Sequence, residues 1–496
     1  MKVAIEGCCH GEIETIYNSL VHIENTTNTK IDLLICCGDY EAIRNQHDLL
    51  SLAVPDKYRA LGCFHHYYSG RLVAPILTLV IGGNHESSSY FSELENGGWL
   101  CHNIYYMGRA SVVSVGGLRI AGVSGIYKDH DYQKGHFEQQ PLNSSTMRSI
   151  YHIREIDVLK MLDIASLPST QRIDIAFSHD WPQGIINYGD KQRLYRMKKH
   201  LAQDGDLLGS PPNMQILKTL CPRYWFSAHL HVKWGAVYPH PNGPTTETSE
   251  PKTTKFLALD KVLPDRDFLQ ILDIDPSTTT TTTTTSQQSS PSSSPKLVYD
   301  AQWLCILNKT KLITANHNNH FPTPLDKNSF KKLCTKEEIE HIKLRFKTIY
   351  KLKNQLDDGV DLSTIKDEDA MEISQSNFVA NTLAFDPSNP NNPLPFLAPR
   401  FPNPQPIVLS HLIAIVCGND PIDASTLSKL NVETFSQSNL ISTINNNNNN
   451  NNNNINNNNN NNADEETSQA TKMQRISMDQ TSKKFKDESE IDLDDL

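Results

Sequence analysis

Short apolar runs at residues 3–5, 31–36, 76–81, 173–177 and 224–227 each stop at residues able to bind a metal or stand beside one. This pattern constrains the fold more than any other feature of the chain. Runs this short and this uniformly apolar fit strands buried on both faces, and the mixed stretches between them have room for crossover helices. Alternating runs follow at 111–115, 118–123, 256–259 and 268–274. The expectation is an α/β sandwich with mixed β-sheets flanked by helices over residues 1–275.

The terminating residues are Cys8-Cys9-His10, Gly38-Asp39, Gly83-Asn84-His85-Glu86, Ser178-His179-Asp180 and Ala228-His229-Leu230-His231. Ligands at the carboxyl ends of strands share one crevice. Imidazole, thiolate, carboxylate and amide oxygen together suit zinc, iron(II) or manganese better than calcium. His229 and His231 can act as a pair, because positions i and i+2 on an extended segment point the same way.

The order of these motifs resembles the calcineurin-like metallophosphoesterase superfamily, with Cys8 where that pattern has its first aspartate and Ala228 where it has a glycine. Within the superfamily, Glu6-Gly-Cys-Cys-His-Gly11, Cys37-Gly-Asp-Tyr-Glu-Ala-Ile-Arg-Asn45 and Ile81-Gly-Gly-Asn-His-Glu86 are similar to the RNA lariat debranching enzymes. So are Gly125-Ile-Tyr-Lys128, Gly135-His-Phe-Glu138, Arg148-Ser-Ile-Tyr-His-Ile-Arg154, Ser178-His-Asp-Trp-Pro182 and Phe256-Leu-Ala-Leu-Asp-Lys261. The resemblance implies the calcineurin-like metallophosphoesterase sandwich and hydrolysis of the 2'-5' phosphodiester at the branch point of intron lariat RNA. That reaction linearises lariats after pre-mRNA splicing. Carried over by position, Cys8, His10, Asp39 and His231 would surround one metal, and Asp39, Asn84, His179 and His229 the other, with Asp39 bridging. A metal-bound hydroxide would be the nucleophile and His85 the general acid for the leaving 2'-oxygen. The implied cofactors are two divalent ions, Fe(II) and Zn(II) ahead of Mn(II), since a thiol at Cys8 favours the softer metals. Whether Cys8 bonds a metal or lies beside one stays open.

Residues 127–154 interleave Tyr127, Tyr132, Phe137 and Tyr151 with Lys128, Lys134, Arg148 and Arg154, a composition suited to stacking on unpaired bases beside phosphates. An ordinary surface loop with its aromatics packed inward is the alternative. The resemblance favours a recognition loop and points to Tyr127, Lys128, His136, Arg148, His152 and Arg154 as substrate-binding residues. A second basic cluster, Lys191, Arg193, Arg196, Lys198 and Lys199, reads equally as a solvated face or a phosphate track. Arg44 and Asn45 either approach the phosphate or support Asp39. Other functions that the same motifs allow are a phosphoesterase acting on nucleotides or phosphoproteins, and a non-catalytic scaffold of the same fold.

Composition lowers the ~3 domains that 496 residues would allow. Asparagine fills 445–462 except at Ile455, threonine fills 278–285, and Ser/Pro follows to Pro295, none of which can build a core. The expected organisation is a catalytic domain at 1–275, a disordered linker at 276–295, a small C-terminal region at 296–420 and a disordered tail at 421–496. Thr335 with Glu338 forms a capping box, and Ile339, Ile342, Phe346 and Ile349 recur at helical spacing, which predicts a helix over about 335–352. Eight prolines between Pro387 and Pro406 predict an extended course. The net charge is −10, and residues 463–496, with 10 acidic and 5 basic side chains, supply half of it. That balance argues against nucleic-acid binding by bulk charge while leaving room for a local basic groove. The first residues lack a signal-peptide apolar stretch, and no run of about 18 apolar residues occurs anywhere. A soluble intracellular protein with reduced thiols is expected, in the nucleus and also the cytoplasm. Its partners would be lariat RNA and spliceosome-associated proteins, with no membrane.

Overall fold

The structure, a computed structural model, describes residues 1–167, 172–240, 253–276, 294–317, 319–357, 359–387 and 401–432. The Thr/Ser/Pro tract, most of the proline stretch, and the asparagine and acidic tracts lie outside these residues.

The strands are β1 (Lys2–Glu6), β2 (Leu33–Cys36), β3 (Thr78–Val80), β4 (Gly98–Cys101), β5 (Ile104–Tyr106), β6 (Ala110–Val115), β7 (Leu118–Val123), β8 (Ile175–Ser178), β9 (Tyr224–Ser227), β10 (Trp234–Pro239), β11 (Thr253–Ala258), β12 (Leu269–Asp273) and β13 (Leu297–Tyr299). They form two mixed sheets, ordered β12-β1-β2-β3-β5-β4 and β10-β11-β9-β8-β7-β6-β13. The sheets face each other across a core of Val3, Ile5, Leu33, Ile35, Leu79, Ile81, Ile120, Ile175, Phe177 and Phe226. Each of the five predicted core strands forms. All are parallel to a neighbour, β1-β2-β3 in one sheet and β8-β9 in the other, so their carboxyl ends open on one edge.

The outer faces are covered by helices, as both-face burial of parallel strands requires. On the first sheet lies α1 (Ile13–Thr27), the crossover from β1 to β2, with Ile13, Ile16, Tyr17 and Leu20 inward. On the second lie α2 (Glu155–Asp163), α3 (Pro211–Leu220), α4 (Ala301–Asn316), α5 (Lys336–Lys353) and α6 (Gln405–Cys417), which share one apolar cluster with Ala121, Ala176 and Trp225. In α5 the predicted capping box is present, and Ile339, Ile342, Phe346 and Ile349 are its buried face.

The C-terminal region does not stand apart. β13 extends the second sheet by antiparallel pairing with β6, and residues Met1–Gln437 form one compact unit. The edge of the first sheet is covered as well, since Trp99 donates from Nε1 to the Ser374 carbonyl at 2.9 Å and from its backbone to Gln405 Oε1 at 2.8 Å.

Two expectations need correction. The extended course predicted through Pro406 does not hold at its end, since α6 begins at Gln405 with Pro406 in its first turn, a position where the missing N–H costs nothing. The first residues of the tail expected to be disordered from 421 instead form α7 (Ala424–Ser428), capped by the Asp423 side chain on the Thr426 N–H; the expectation for the rest, from 433, falls outside the described residues. Leu430 and Val432 then bury at 8% and 3% exposure, so apolar content resumes briefly before the asparagine tract. A chain ending at residue 420 should therefore melt below one ending at 437, by about 3 kcal/mol for two buried aliphatic side chains. Thermal or urea unfolding of the two truncations measures the difference.

Candidate metal centre

Each predicted ligand sits immediately beyond a strand end: Cys8 and His10 after β1, Asp39 after β2, Asn84 after β3, His179 after β8, and His229 and His231 after β9. The backbone must turn sharply there. His10, Asp39, His229 and His231 all adopt positive φ, between 46° and 65°, which side chains other than glycine enter at a cost seen mostly at functional sites. Gly83 is required by packing, since a Cβ there would collide with the Asp39 carboxylate.

The donor atoms of Cys8, His10, Asp39 and His231 lie within 4.8 Å of one another. His10 Nε2 is 3.3 Å from His231 Nε2 and 3.7 Å from Asp39 Oδ2. The other carboxylate oxygen, Asp39 Oδ1, faces His179 Nε2 at 3.2 Å, and His179 Nε2 in turn meets Asn84 Oδ1 at 3.1 Å. Asp39 thus stands between two groups of donors, one oxygen toward each. His229 joins the second group, its ring 5.0 Å from that of His179.

The donor chemistry fits bound cations. His179 Nδ1 donates to the Cys37 carbonyl at 2.8 Å, so in the neutral ring the Nε2 lone pair points at two oxygens. Only a proton or a metal ion reconciles those three electron pairs. The same demand appears in the ionisation of the site. Against the effect of burial, Asp39 raises His179. Asp39 itself would be raised by burial, but the charges of His179, His85 and His10 hold it well below the usual carboxylate range. Burial, with His179 adding to it, pushes His229 down to about 3, leaving the neutral imidazole that a ligand must be. Burial also pushes the Cys8 thiol up, with Asp39 and Glu6 reinforcing it, so a cation must be present for this sulfur to bind as thiolate. The backbone N–H of His229 donates to Cys8 Sγ at 3.1 Å, fixing the sulfur beside the first group.

His85 is outside both groups. Its backbone N–H donates to Asp39 Oδ1 at 2.9 Å, and its ring lies edge-on to His10 at 5.4 Å, over the same crevice. Burial lowers its pKa, partly offset by Asp39.

Glu86, which follows His85 in its motif, carries no sequence signal of its role. This buried carboxylate accepts from Tyr40 N–H at 2.8 Å and Gly83 N–H at 2.9 Å through Oε1, and from Glu41 N–H at 2.8 Å through Oε2. One side chain therefore joins the loop of Asp39 to the loop of Asn84. Glu41 was also missed; its carboxylate meets His10 Nδ1 at 3.4 Å. Arg44 faces the interior, toward partners other than Asp39. Its guanidinium, fully buried over the Tyr90 ring, donates to Asp48 at 2.8 Å, Glu93 at 3.0 Å and Asn381 at 3.0 Å. Asn45 caps a helical turn and donates to the Leu383 carbonyl at 2.7 Å.

The predicted substrate-binding residues divide. His136 pairs with Asp157 at 2.6 Å, His152 with Asp131 at 2.6 Å, and Arg154 with Glu138 at 2.5 Å. Arg154 is fully buried. These three hold the 127–154 segment to itself and to α2. Tyr127 and Lys128 are half-buried and Arg148 is exposed, with the Tyr127 backbone N–H donating to Asp180 beside His179. In the basic cluster, Lys191 pairs with Asp206 at 2.6 Å, and Arg193, Arg196 and Lys199 are exposed.

Residues 1–233 match the calcineurin-like phosphoesterase family, and residues 251–416 match the family described as lariat debranching enzyme, C-terminal domain. The chain is 48% identical over 328 residues to a lariat debranching enzyme of Danio rerio, an alignment covering 66% of this chain and 54% of that protein. To the enzyme of that name from Drosophila pseudoobscura pseudoobscura it is 44% identical over 384 residues, covering 70% and 68%. To that from Arabidopsis thaliana it is 47% identical over 311 residues, covering 62% and 68%. The match thus spans about half the length of the fish protein and about two thirds of the other two.

Glu86→Gln places an amide N–H₂ against at least one of the three backbone donors. An unsatisfied buried donor costs about 1–3 kcal/mol. The variant should unfold earlier by that amount and lose metal, as read by denaturant titration and elemental analysis.

Proposed function

The chain belongs to the family of lariat debranching enzymes, and on that premise we propose that it hydrolyses the 2'-5' phosphodiester at the branch point of intron lariat RNA. The observation that carries this reading is the division of Asp39 between two donor groups at the ends of five strands.

Cys8, His10, Asp39 and His231 would hold one divalent cation, and Asp39, Asn84, His179 and His229 the other. Bound cations of this kind supply Lewis acidity, neutralising charge on phosphoryl oxygens and making water a nucleophile near neutral pH. The protein's own groups do the rest. Glu86 keeps the Asp39 and Asn84 loops at a fixed separation. His85, tied to Asp39 through its backbone and free of both ligand groups, donates a proton to the departing 2'-oxygen. Tyr127, Lys128 and Arg148 stack on unpaired bases and meet the phosphates of the arms. Zn(II) and Fe(II) are the proposed ions, on the ground of the Cys8 sulfur. Because the substrate arises in splicing, the proposed location is the nucleus, with spliceosome-associated proteins as neighbours; microscopy of the tagged full chain tests this.

The deciding assay compares branched RNA with a linear 3'-5' RNA of the same sequence, on protein of measured metal content. Equal cleavage of both, or cleavage of mononucleotides alone, would replace this reading with a general phosphoesterase. His85→Ala should keep its metal while losing orders of magnitude in kcat; parallel loss of metal would make His85 structural or a ligand. Cys8→Asp should make Mn(II) a relatively better activator, and unchanged metal preference would remove the sulfur from the ligand set. Tyr127→Ala should weaken binding of branched RNA by about 1–3 kcal/mol while sparing a small activated diester. Comparing KM for the two substrates checks it.

A further inference from the structure

We infer that Glu41 is a positioning residue for the first metal site, setting which nitrogen of His10 faces the metal. The inference rests on the reading of His10 as a ligand, and extends it to a carboxylate that the motif pattern does not assign.

An imidazole binds metal through a nitrogen without a proton, so a ligand histidine is useful only when its other nitrogen carries the hydrogen. His10 has its two nitrogens in different surroundings. Nε2 points at His231 Nε2, 3.3 Å away, and at Asp39 Oδ2, 3.7 Å away. Nδ1 points at Glu41 Oε1, 3.4 Å away. A carboxylate can only accept, so Glu41 draws the hydrogen to Nδ1 and leaves the Nε2 lone pair directed at the first donor group. His179 achieves the same result with the Cys37 carbonyl. Among the described residues it is Glu41, not a carbonyl, that takes that role for His10.

Glu41 is held for this task. Its backbone N–H is one of the three that Glu86 accepts, and its φ of 56° turns the chain back after Asp39. Its side chain is 14% exposed and that of His10 25%, so water competes weakly for Nδ1. Glu41 groups with His10 and His85, and not with Cys8, Asp39 and His231, so it reaches the first donor set through the His10 ring.

The test measures zinc binding to metal-stripped full-length protein by competition with a chromophoric chelator, alongside the His10 tautomer from nitrogen chemical shifts of ¹⁵N-histidine protein. Glu41→Asn tolerates the positive φ but is too short to reach Nδ1. It should weaken one of the two zinc-binding steps by about 10- to 100-fold, leave the other unchanged and mix the His10 tautomers. Glu41→Gln keeps an acceptor oxygen at full reach and should stay close to wild type in both readouts. Should Asn not fold, Glu41→Ala removes the same acceptor. Wild-type zinc affinity and an unmixed tautomer in the shortened variant would overturn the inference. Equal losses in Gln and Asn would also overturn it, by making the carboxylate itself a ligand. Wild-type protein that takes up no zinc would instead overturn the metal-site reading on which the inference stands, a result distinct from both.

Discussion

The structure is arranged around one buried negative charge. Asp39 is 1% exposed, and an isolated carboxylate at that depth would protonate or unfold the loop that carries it. It stays ionised because positive charge, whether on imidazoles or on metal ions, surrounds both its oxygens. Strand ends from two different sheets converge on it and share the supply of that charge, His10 from the first and His179 from the second. The same convergence shapes the backbone. Turning each chain end inward at His10, Asp39, His229 and His231 takes left-handed conformations, and the hydrogen bonds to Glu86 are part of what offsets their cost.

The donors themselves were legible in the sequence because each combines two local signals, an apolar run and a metal-competent residue at its end. Residues that position the donors carry no such signal. Glu86 acts on backbone N–H groups at positions 40, 41 and 83, and backbone donors leave no trace in sequence. Glu41 acts on a histidine 31 positions away, and Arg44 on an asparagine 337 positions away. An arginine five residues after Asp39 looks the same on paper whether it meets phosphate or Asp48. Only burial distinguishes the two, and burial is a property of the assembled core.

The C-terminal part shows the same boundary between local and assembled information. Its helix at Lys336–Lys353 was readable, cap and apolar face together, since both are periodic features of one segment. The next helix was not, because proline density pointed to an extended chain, and a proline just inside a helix start is invisible to density alone. Nor did composition show that this part completes the phosphoesterase fold. Its strand pairs with β6, Arg44 donates to Asn381, and Asn45 donates to the Leu383 carbonyl. A region that covers a sheet edge and bonds to the segment following Asp39 is not an appendage in any energetic sense.

The 127–154 segment shows why composition overstates the number of ligand-facing residues. Aromatic and basic side chains suit unpaired RNA, but the same side chains suit a loop that must hold one shape without regular structure. Here Asp131, Glu138 and Asp157 take up His152, Arg154 and His136 in short charge-assisted bonds. The segment is fastened at its base too, where Gly125 N–H donates to the Gly82 carbonyl and Ile126 bridges His152. Such fastening gives a segment without regular structure a single shape, which costs conformational entropy that these bonds offset. The acidic partners were in the sequence all along, 16 to 21 positions from the basic ones. Counting them alongside the arginines and histidines would have divided the segment into a frame and a face, with Tyr127, Lys128 and Arg148 on the face.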